Sequence, residues 1–295
     1  MQSELDKIDL AKDTSLDQMK TQSISDGSAF IVNGTMCIVG NIGSGKTSLI
    51  AKLMVLYRKK IEPDIFYFFT EGRMDSTMSE NINKHQIEIT PIDSKYMEEF
   101  VAKYRTLKMA IIELHKYLTR DDYWSEALTE LKSQFKVKSL LPKAKEIISK
   151  YSKPETIEVK DKKFPIKPII GEKNTYTKSL MIFDDIAQFP EFTKKNSANT
   201  FFKELAANTR HFVNTSIFAM QRFTFIQKDV RVLTNTWCLG YGIATEDIKT
   251  LFKQSVTVEG WSSEEMIREY EKIKKYNFLV INSGLAIVDD IKINL

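Results

Sequence analysis

Short apolar runs alternate along the chain with longer segments in which apolar residues recur every three or four positions. Each short run predicts a buried strand, and these runs lie at 35–39, 65–69, 180–183, 215–220 and 236–239. The longer segments predict helices, at 47–60, over much of 94–152, and at 197–209 and 264–275. Strands that alternate with helices predict an α/β fold with a mainly parallel sheet, in which ligands bind at the carboxyl ends of the strands.

The segments between these elements predict how the core is elaborated. Residues 1–26 are polar and predict a flexible N-terminal arm, for which a mobile terminus is favoured over a partner-binding tail. We expect 27–295 to form a single domain that carries a lysine-rich, mainly helical insertion at about 94–178. Within that insertion, the prolines and glycine of 153–178 predict a loop or an edge hairpin.

The C-terminal residues predict a β-hairpin. Two apolar runs, at 278–281 and 285–288, flank Asn282, Ser283 and Gly284. A short Asn/Gly-containing link between two such runs is a hairpin signal.

Composition narrows the class of protein. A chain of 295 residues with 42% hydrophobic and 28% charged residues is ordinary for a globular domain. Two cysteines, Cys37 and Cys238, both lie in apolar runs, so we expect buried thiols and a reducing compartment. There is no secretory signal pattern, no apolar run of about 18 residues and no zinc-type Cys/His spacing, so we expect an intracellular protein that does not span a membrane.

A phosphate-binding loop follows the first strand. The sequence matches G-x-x-x-x-G-K-[ST] and continues one residue further, at Gly40, Asn41, Ile42, Gly43, Ser44, Gly45, Lys46, Thr47 and Ser48. Glycines let backbone N–H groups surround an anion, and the following helix presents its positive end. Lys46 is expected to contact the β- and γ-phosphates of ATP, and Thr47 to ligate Mg²⁺.

Two acidic residues follow the apolar run at 180–183. Asp184 and Asp185 at a strand end form a Walker B pattern when a P-loop precedes them. We expect Asp184 to hold Mg²⁺ and Asp185 to orient or deprotonate the attacking water. The next apolar run ends at Gln221, at a spacing that suits one strand–helix–strand unit. Its amide is expected to sense the γ-phosphate or the lytic water.

These motifs resemble one known family. The phrases G-N-I-G-S-G-K-T, L-M-I-F-D-D-I and T-R-H-F-V-N-T-S-I-F-A-M-Q are similar to those of the genome-packaging ATPases of large double-stranded DNA viruses, poxvirus type, in the FtsK/HerA superfamily of P-loop NTPases. The resemblance covers about 30–75 and 178–245, and Asp185 stands where many members have glutamate. It implies a RecA/FtsK-HerA-like core, a homo-oligomeric ring, a capsid or portal-vertex partner, and location in the virion or host cytoplasm.

Ring ATPases use an arginine from a neighbouring subunit to stabilise charge on the transferred phosphoryl group. Arg210, before the strand that ends at Gln221, and Arg231, beyond it, are equally ranked candidates, with Arg73 as a third. An ordinary surface arginine is the alternative at each position.

The charge of the chain is concentrated in one span. The net charge is +4, yet 130–178 holds thirteen lysines and six acidic residues. Lysines without base-reading arginines suit contact with DNA phosphates of any sequence, although a solvated helix face is an equal alternative. The leading hypothesis is an ATP-driven translocase of double-stranded DNA. The alternatives are another ring NTPase, such as a helicase or conjugation-type pump, and a slow nucleotide switch or assembly factor.

Overall fold

The computed structural model describes residues 22–23, 30–60, 65–72, 74–119, 132–133, 136, 141–171, 175–186, 198–256 and 260–282. In this part of the chain the strands are β1 Gln22–Ser23, β2 Ile31–Val32, β3 Thr35–Val39, β4 Ile65–Thr70, β5 Ile89–Asp93, β6 Glu155–Val159, β7 Lys162–Ile166, β8 Ser179–Phe183, β9 Asn214–Met220, β10 Thr236–Gly240 and β11 Phe278–Asn282. The helices of four or more residues are α1 Lys46–Lys60, α2 Ser76–His85, α3 Ser94–Thr119, α4 Leu141–Tyr151, α5 Ala198–Asn208, α6 Lys228–Val232, α7 Thr245–Gln254 and α8 Ser263–Glu271.

Seven strands form one sheet in the order β11-β10-β3-β9-β8-β4-β5. Every neighbouring pair is parallel except β10 with β11, which is antiparallel. The predicted α/β fold with a mainly parallel sheet is therefore confirmed. We call the side on which the six parallel strands end the carboxyl end of the sheet, and the other side its amino end.

The central strands are apolar because helices cover both faces of the sheet. All residues of β3, β8, β9 and β10 are buried, as expected for parallel strands that are packed on two sides. Successive side chains point to opposite faces. Cys37 and Val39 therefore join one apolar cluster, whereas Met36 and Ile38 join the other, with α1. Both cysteines are buried free thiols, as predicted.

Two elements between β4 and the insertion were not predicted. The strand β5 is at the edge of the sheet, and its side chains are only partly buried except for Ile92. Its sequence, Ile-Thr-Pro-Ile-Asp, lacks a long apolar run, and Pro91 is compatible with a strand because an edge strand needs fewer backbone donors. The helix α2 begins after Asp75, whose carboxylate accepts a hydrogen bond from the N–H of Thr77 at 2.8 Å. The amphipathic helix α7 was also missed.

The lysine-rich insertion contains a hairpin that packs on a long helix. The strands β6 and β7 pair only with each other, as a separate two-stranded sheet. Their inward side chains, Ile157, Val159, Phe164 and Ile166, join the cluster that contains Phe100 of α3. The loop or hairpin expected at 153–178 thus includes a hairpin, although it does not extend the main sheet.

The chain ends differ in part from the predictions. The strand β11 pairs with β10, register Gly240↔Phe278, while the hairpin partner predicted at 285–288 lies outside the described residues. Of the predicted N-terminal arm only β1 is described, and it pairs with β2. The arm, the single domain and the bounds of the insertion stay predictions. Within the described ranges, no helix combines the length and apolarity needed to cross a membrane.

Candidate nucleotide-binding site

The predicted P-loop connects the end of β3 to the start of α1. Gly43 and Gly45 have φ values of +75° and +95°, a region that residues with a Cβ rarely adopt. A Cβ at Gly40 would lie 2.5 Å from the Oγ of Ser44. The glycines are therefore required by the backbone, which turns back sharply before the helix begins.

The loop presents positive charge at the carboxyl end of the sheet. Lys46 is the first residue of α1, and its ammonium donates hydrogen bonds to the carbonyl oxygens of Gly40 at 2.7 Å and Asn41 at 3.1 Å. Burial lowers the pKa of Lys46, while Asp185 and Asp184 oppose that shift. The first turn of α1 contains no acidic residue, so the positive end of the helix is not neutralised locally.

Neighbouring strands fix the position of the loop. The N–H of Gly40 donates to the carbonyl oxygen of Met220, the last residue of β9, at 3.1 Å. On the other side, the amide of Asn41 donates to the carbonyl oxygen of Gly242, just after β10. A Cβ at Gly240 would lie 2.9 Å from the ring of Phe278. Glycine at 240 thus permits the close approach of β11 beside the loop.

The two acids lie at the end of β8, on the same side of the sheet as the loop. The N–H of Asp184 donates to the carbonyl oxygen of Phe69 at 3.1 Å and extends the ladder with β4. Asp185 has φ +48°, so the chain leaves the strand direction at this residue. Burial raises the pKa of Asp184 to about 6, with a further contribution from Asp185. The backbone of Asp184 therefore continues the strand, whereas that of Asp185 is left-handed.

Gln221 directly follows β9, the strand between β3 and β8. Since β9 ends beside the P-loop and next to the Walker B strand, the partly buried Gln221 is brought to the same end of the sheet as Lys46 and Asp184. Sequence reasoning placed it at a strand end, and the sheet order puts that strand between the two motifs.

The candidate arginines Arg210 and Arg231 lie in two different segments, one before β9 and one in α6. Arg210 is exposed and precedes the seven-residue strand β9, which at about 3.3 Å per residue puts it roughly 20 Å or more from the carboxyl end. Arg231 lies with its guanidinium 5.0 Å from the centroid of the Phe223 ring and donates to Gln254 at 3.4 Å. Phe223 follows Gln221 by two residues, and Gln254 is the last residue of α7. Arg73 lies outside the described residues.

Comparisons with known proteins give similarities of structure only. No protein-family model matches the chain, and no curated protein does. Similar solved structures include EssC (ATPases 2 and 3) from Geobacillus thermodenitrificans, with 12% identity, 88% of this chain and 42% of that chain covered, and a TM-score of 0.48. B204, the DNA-packaging ATPase from Sulfolobus Turreted Icosahedral Virus, has 15% identity, covers 88% of this chain and 98% of its own, and has a TM-score of 0.47.

A third similar structure is the cytoplasmic domain of the Thermomonospora curvata Type VII Secretion ATPase EccC. It has 11% identity, covers 87% of this chain and 25% of its own, and has a TM-score of 0.45. The chain thus spans less than half of the EssC and EccC chains that it matches.

The turn of the lysine-rich hairpin also lies at the carboxyl end, beside the end of the edge strand β5. Its turn contacts the start of α3, which follows β5 directly: the ammonium of Lys160 donates to the carbonyl oxygen of Lys95 at 2.7 Å, and Tyr96 donates to Asp161 at 3.3 Å. The exposed lysines of this turn are Lys160, Lys162 and Lys163. They form a basic surface on the side of the sheet that carries the P-loop.

Two charged residues near the site were not singled out from the sequence. Asp75 lies close enough to Asp184 to contribute to its raised pKa. Arg222 is exposed immediately after Gln221. The capping position of Asp75 before Ser76 was a readable signal for a helix start, but its proximity to Asp184 depends on the placement of β4 beside β8.

Proposed function

We propose that the chain is a magnesium-dependent ATPase that translocates double-stranded DNA, as part of packaging a viral genome. The observation that carries the ATPase is the convergence, at one end of the sheet, of the P-loop, the acids after β8 and Gln221 after β9. An accidental glycine turn would have no reason to meet two further polar strand ends in this way.

The loop fits a triphosphate. Its glycines hold backbone that leaves room for an anion, and Lys46 supplies a positive charge whose hydrogen bonds run to carbonyl oxygens of the loop. The buried hydroxyl of Ser44 has no hydrogen-bond partner within the described part of the chain. A phosphate oxygen is the acceptor that a hydroxyl in such a loop would meet.

The donor set also fits Mg²⁺. Thr47 offers a hydroxyl and Asp184 a carboxylate, and this ion is usually held in nucleotide sites by one or two protein oxygens together with phosphates and water. When bound, Mg²⁺ neutralises charge on the β- and γ-phosphate oxygens. Three or more clustered Cys, His, Asp or Glu residues do not occur in the described ranges, which matches a site completed by its substrate.

The remaining residues of the site act on water and on the γ-phosphate. Asp185 orients the attacking water and accepts its proton, since it lies close enough to Lys46 to influence the pKa of that ammonium. Lys46 stabilises negative charge on the β- and γ-phosphates. Gln221 hydrogen-bonds the γ-phosphate or the water, and couples hydrolysis to the segment that follows β9.

The DNA-translocating role rests on two further features. The three motif phrases resemble those of viral packaging ATPases, poxvirus type, and the basic hairpin supplies exposed lysines for sequence-nonspecific contact with duplex phosphates. In this proposal the chain assembles as a homo-oligomeric ring, engages a capsid or portal-vertex protein, and works in the virion or host cytoplasm. Arg210 or Arg231 acts on the site of a neighbouring subunit.

The deciding experiment measures phosphate release by the full chain with and without long duplex DNA, together with the mass of the assembly in ATP. We expect steady, magnesium-dependent hydrolysis that any duplex sequence stimulates, and an oligomer in ATP. Asp185→Asn is the control for a contaminating ATPase. Slow hydrolysis that ignores DNA would indicate the nucleotide switch instead, and strand separation would indicate a helicase.

A further inference from the structure

A groove opens beside the P-loop, on the side of β3 that faces away from the two acids. Its volume is about 210 Å³, and its lining includes Gly45, Ser48, Lys52, Tyr276, Asn277 and Phe278. Sites that enclose a whole small molecule usually measure roughly 300–1,000 Å³. This groove therefore suits one part of a ligand whose remainder binds next to it.

The sheet order gives the bound nucleotide a direction. β8, which ends at the two acids, is two strands from β3 on one side, and β11, which follows Tyr276, is two strands away on the other. Mg²⁺ and the γ-phosphate would lie on the side of the acids, because Asp184 would hold the metal and Asp185 the attacking water. The α-phosphate, ribose and base must then extend toward β11, where the groove begins at Ser48.

Tyr276 is presented to this groove by a strained turn. Its φ is +71°, in a region usually occupied by glycine or asparagine, and the turn is closed by the N–H of Asn277, which donates to the carbonyl oxygen of Lys274 at 3.0 Å. A Cβ at Gly45 would lie 3.5 Å from the Tyr276 ring, so the ring sits against the loop. The side chain nevertheless remains 64% exposed.

Two other side chains lie near Tyr276. The ammonium of Lys275 lies 5.1 Å from the centroid of the Tyr276 ring and adds positive charge beside it. Asn277 is half-buried, and it lines the groove beside Tyr276. An asparagine amide offers one donor and one acceptor, which match the N7 and N6 groups of adenine.

We propose that this groove binds the adenine base, with Tyr276 stacking on the ring system and Asn277 pairing with its edge. The inference rests on the proposed nucleotide site and names the part of it that selects the base. Aromatic stacking accepts any base because every base has a π-face, so selection falls to the amide.

The test compares three probes on the full chain by calorimetry: ATP, GTP and inorganic tripolyphosphate. We expect Tyr276→Ala to weaken ATP roughly 5- to 100-fold, the range that loss of one aromatic–base stack gives, and to leave tripolyphosphate unchanged. Tyr276→Phe should restore ATP affinity, and Asn277→Ala should reduce the preference for ATP over GTP. Tyr241→Ala removes another exposed tyrosine at this end of the sheet and should change neither probe.

The outcomes separate this proposal from the nucleotide site itself. If wild type binds tripolyphosphate as tightly as ATP, or if Tyr276→Ala weakens both probes equally, the base groove is wrong although the P-loop stands. If Lys46→Ala leaves both affinities unchanged, the phosphate site fails first. Unchanged ATP affinity in Tyr276→Ala, with a smaller assembly mass, would overturn the groove and assign Tyr276 to a subunit contact.

Discussion

The ammonium of Lys46 donates a hydrogen bond to the carbonyl oxygen of Gly40 across 2.7 Å, so the lysine of the loop closes on the residue that begins it. Burial disfavours the charged form of Lys46 and lowers its pKa, while Asp185 and Asp184 oppose that shift. A bound phosphate would replace a neutral acceptor by a charged one. The carbonyl oxygens of Gly40 and Asn41 therefore hold the Lys46 ammonium against the loop.

Lys46→Ala should abolish tight ATP binding while the fold survives. Charge-assisted hydrogen bonds contribute about 1.5–3 kcal/mol each, so the loss of contacts to two phosphates predicts at least a roughly 100-fold weaker affinity. Titration calorimetry with ATP measures it, and Lys59→Ala, an exposed lysine on the same helix, is the matched control. Wild-type affinity in a folded Lys46→Ala protein would refute the P-loop interpretation.

The two acids should give separable phenotypes. Asp185→Asn keeps a side chain that can hold water but cannot accept its proton, so ATP and Mg²⁺ binding should persist while turnover falls about 10²- to 10⁴-fold. Asp184→Asn should first raise the Mg²⁺ concentration needed for half-maximal rate. Hydrolysis rates over a Mg²⁺ series measure both effects, and a normal rate in Asp185→Asn would show that the roles are misassigned.

The raised pKa of Asp184 predicts how stability depends on pH in the metal-free protein. The folded-state pKa is about 6 against a usual 3.8, so the folded form binds this proton more tightly. The contribution to stability is complete below pH ~4 and is lost as pH rises through about 6, by at most roughly 3 kcal/mol. Asp184→Asn should therefore be relatively more stable at pH 7.5 than at pH 4.

Thermal unfolding in EDTA at the two pH values measures this difference, with Asp247→Asn, an acid of α7 far along the chain, as the control. Other groups shift the absolute stability of both proteins, so the change in the difference between variant and wild type is the quantity to compare. A difference that is equal at pH 4 and pH 7.5 would contradict the assigned burial of Asp184.

DNA affinity should depend steeply on salt through the hairpin lysines. Each neutralised phosphate releases counterions, with a slope of about 0.9 in log K against log salt for duplex DNA. Glutamine at Lys160, Lys162 and Lys163 should therefore lower the slope by about 2 to 3 and leave sequence preference unchanged. Fluorescence anisotropy with two unrelated duplexes measures both quantities.

The matched control for the hairpin replaces three exposed lysines elsewhere by glutamine, at Lys59, Lys84 and Lys253. It removes the same charge, so a nonspecific effect of net charge would appear in both variants. If the slope is unchanged in the hairpin variant, the DNA surface lies elsewhere, and loops that line a ring pore are then the preferred location.

The sequence predicted those parts of the fold in which burial or backbone conformation restricts the residue types at each position. β3, β8 and β9 are buried on both faces, so apolar residues form most of each strand, and the buried polar residues lie at their amino ends. The glycines of the P-loop are likewise dictated by local φ values. β5 was not predicted from the sequence because an edge strand tolerates Pro91 and polar side chains, which hide the apolar pattern of a strand.

The groove beside the P-loop could not be predicted from the sequence, for a different reason. Tyr276 is 231 residues from Gly45 along the chain, and only the pairing of Gly240 with Phe278 brings the two together. Local pattern says nothing about the strand order that creates such contacts. Arg210 and Arg231 were predicted to act on a neighbouring subunit, and the full length of β9 separates Arg210 from the carboxyl end of its own sheet.

Arg210 and Arg231 should behave differently when they are removed. Arg231 lies on the Phe223 ring and contacts Gln254, so Arg231→Ala should lose about 1 kcal/mol of stability from the cation–π contact. Arg210 is exposed, and its Nε lies 3.4 Å from Nε2 of His211, so it is freer than Arg231 to reach a neighbouring subunit. We expect Arg210→Ala to lower turnover by roughly 10³- to 10⁵-fold at unchanged stability, as loss of an arginine finger does.

Mixing variants tests whether that arginine acts between subunits. Arg210→Ala supplies intact phosphate sites and Lys46→Ala supplies an intact Arg210, so the mixture should recover some hydrolysis although neither protein is active alone. Arg210→Lys should not substitute, because a lysine lacks the planar fork that matches phosphate oxygens. Rates are measured against total protein concentration, with the Arg231→Ala mixture as the comparison. If activity per subunit stays constant down to dilute monomer and no mixture recovers it, each site is complete in one chain, and the ring loses its mechanistic basis.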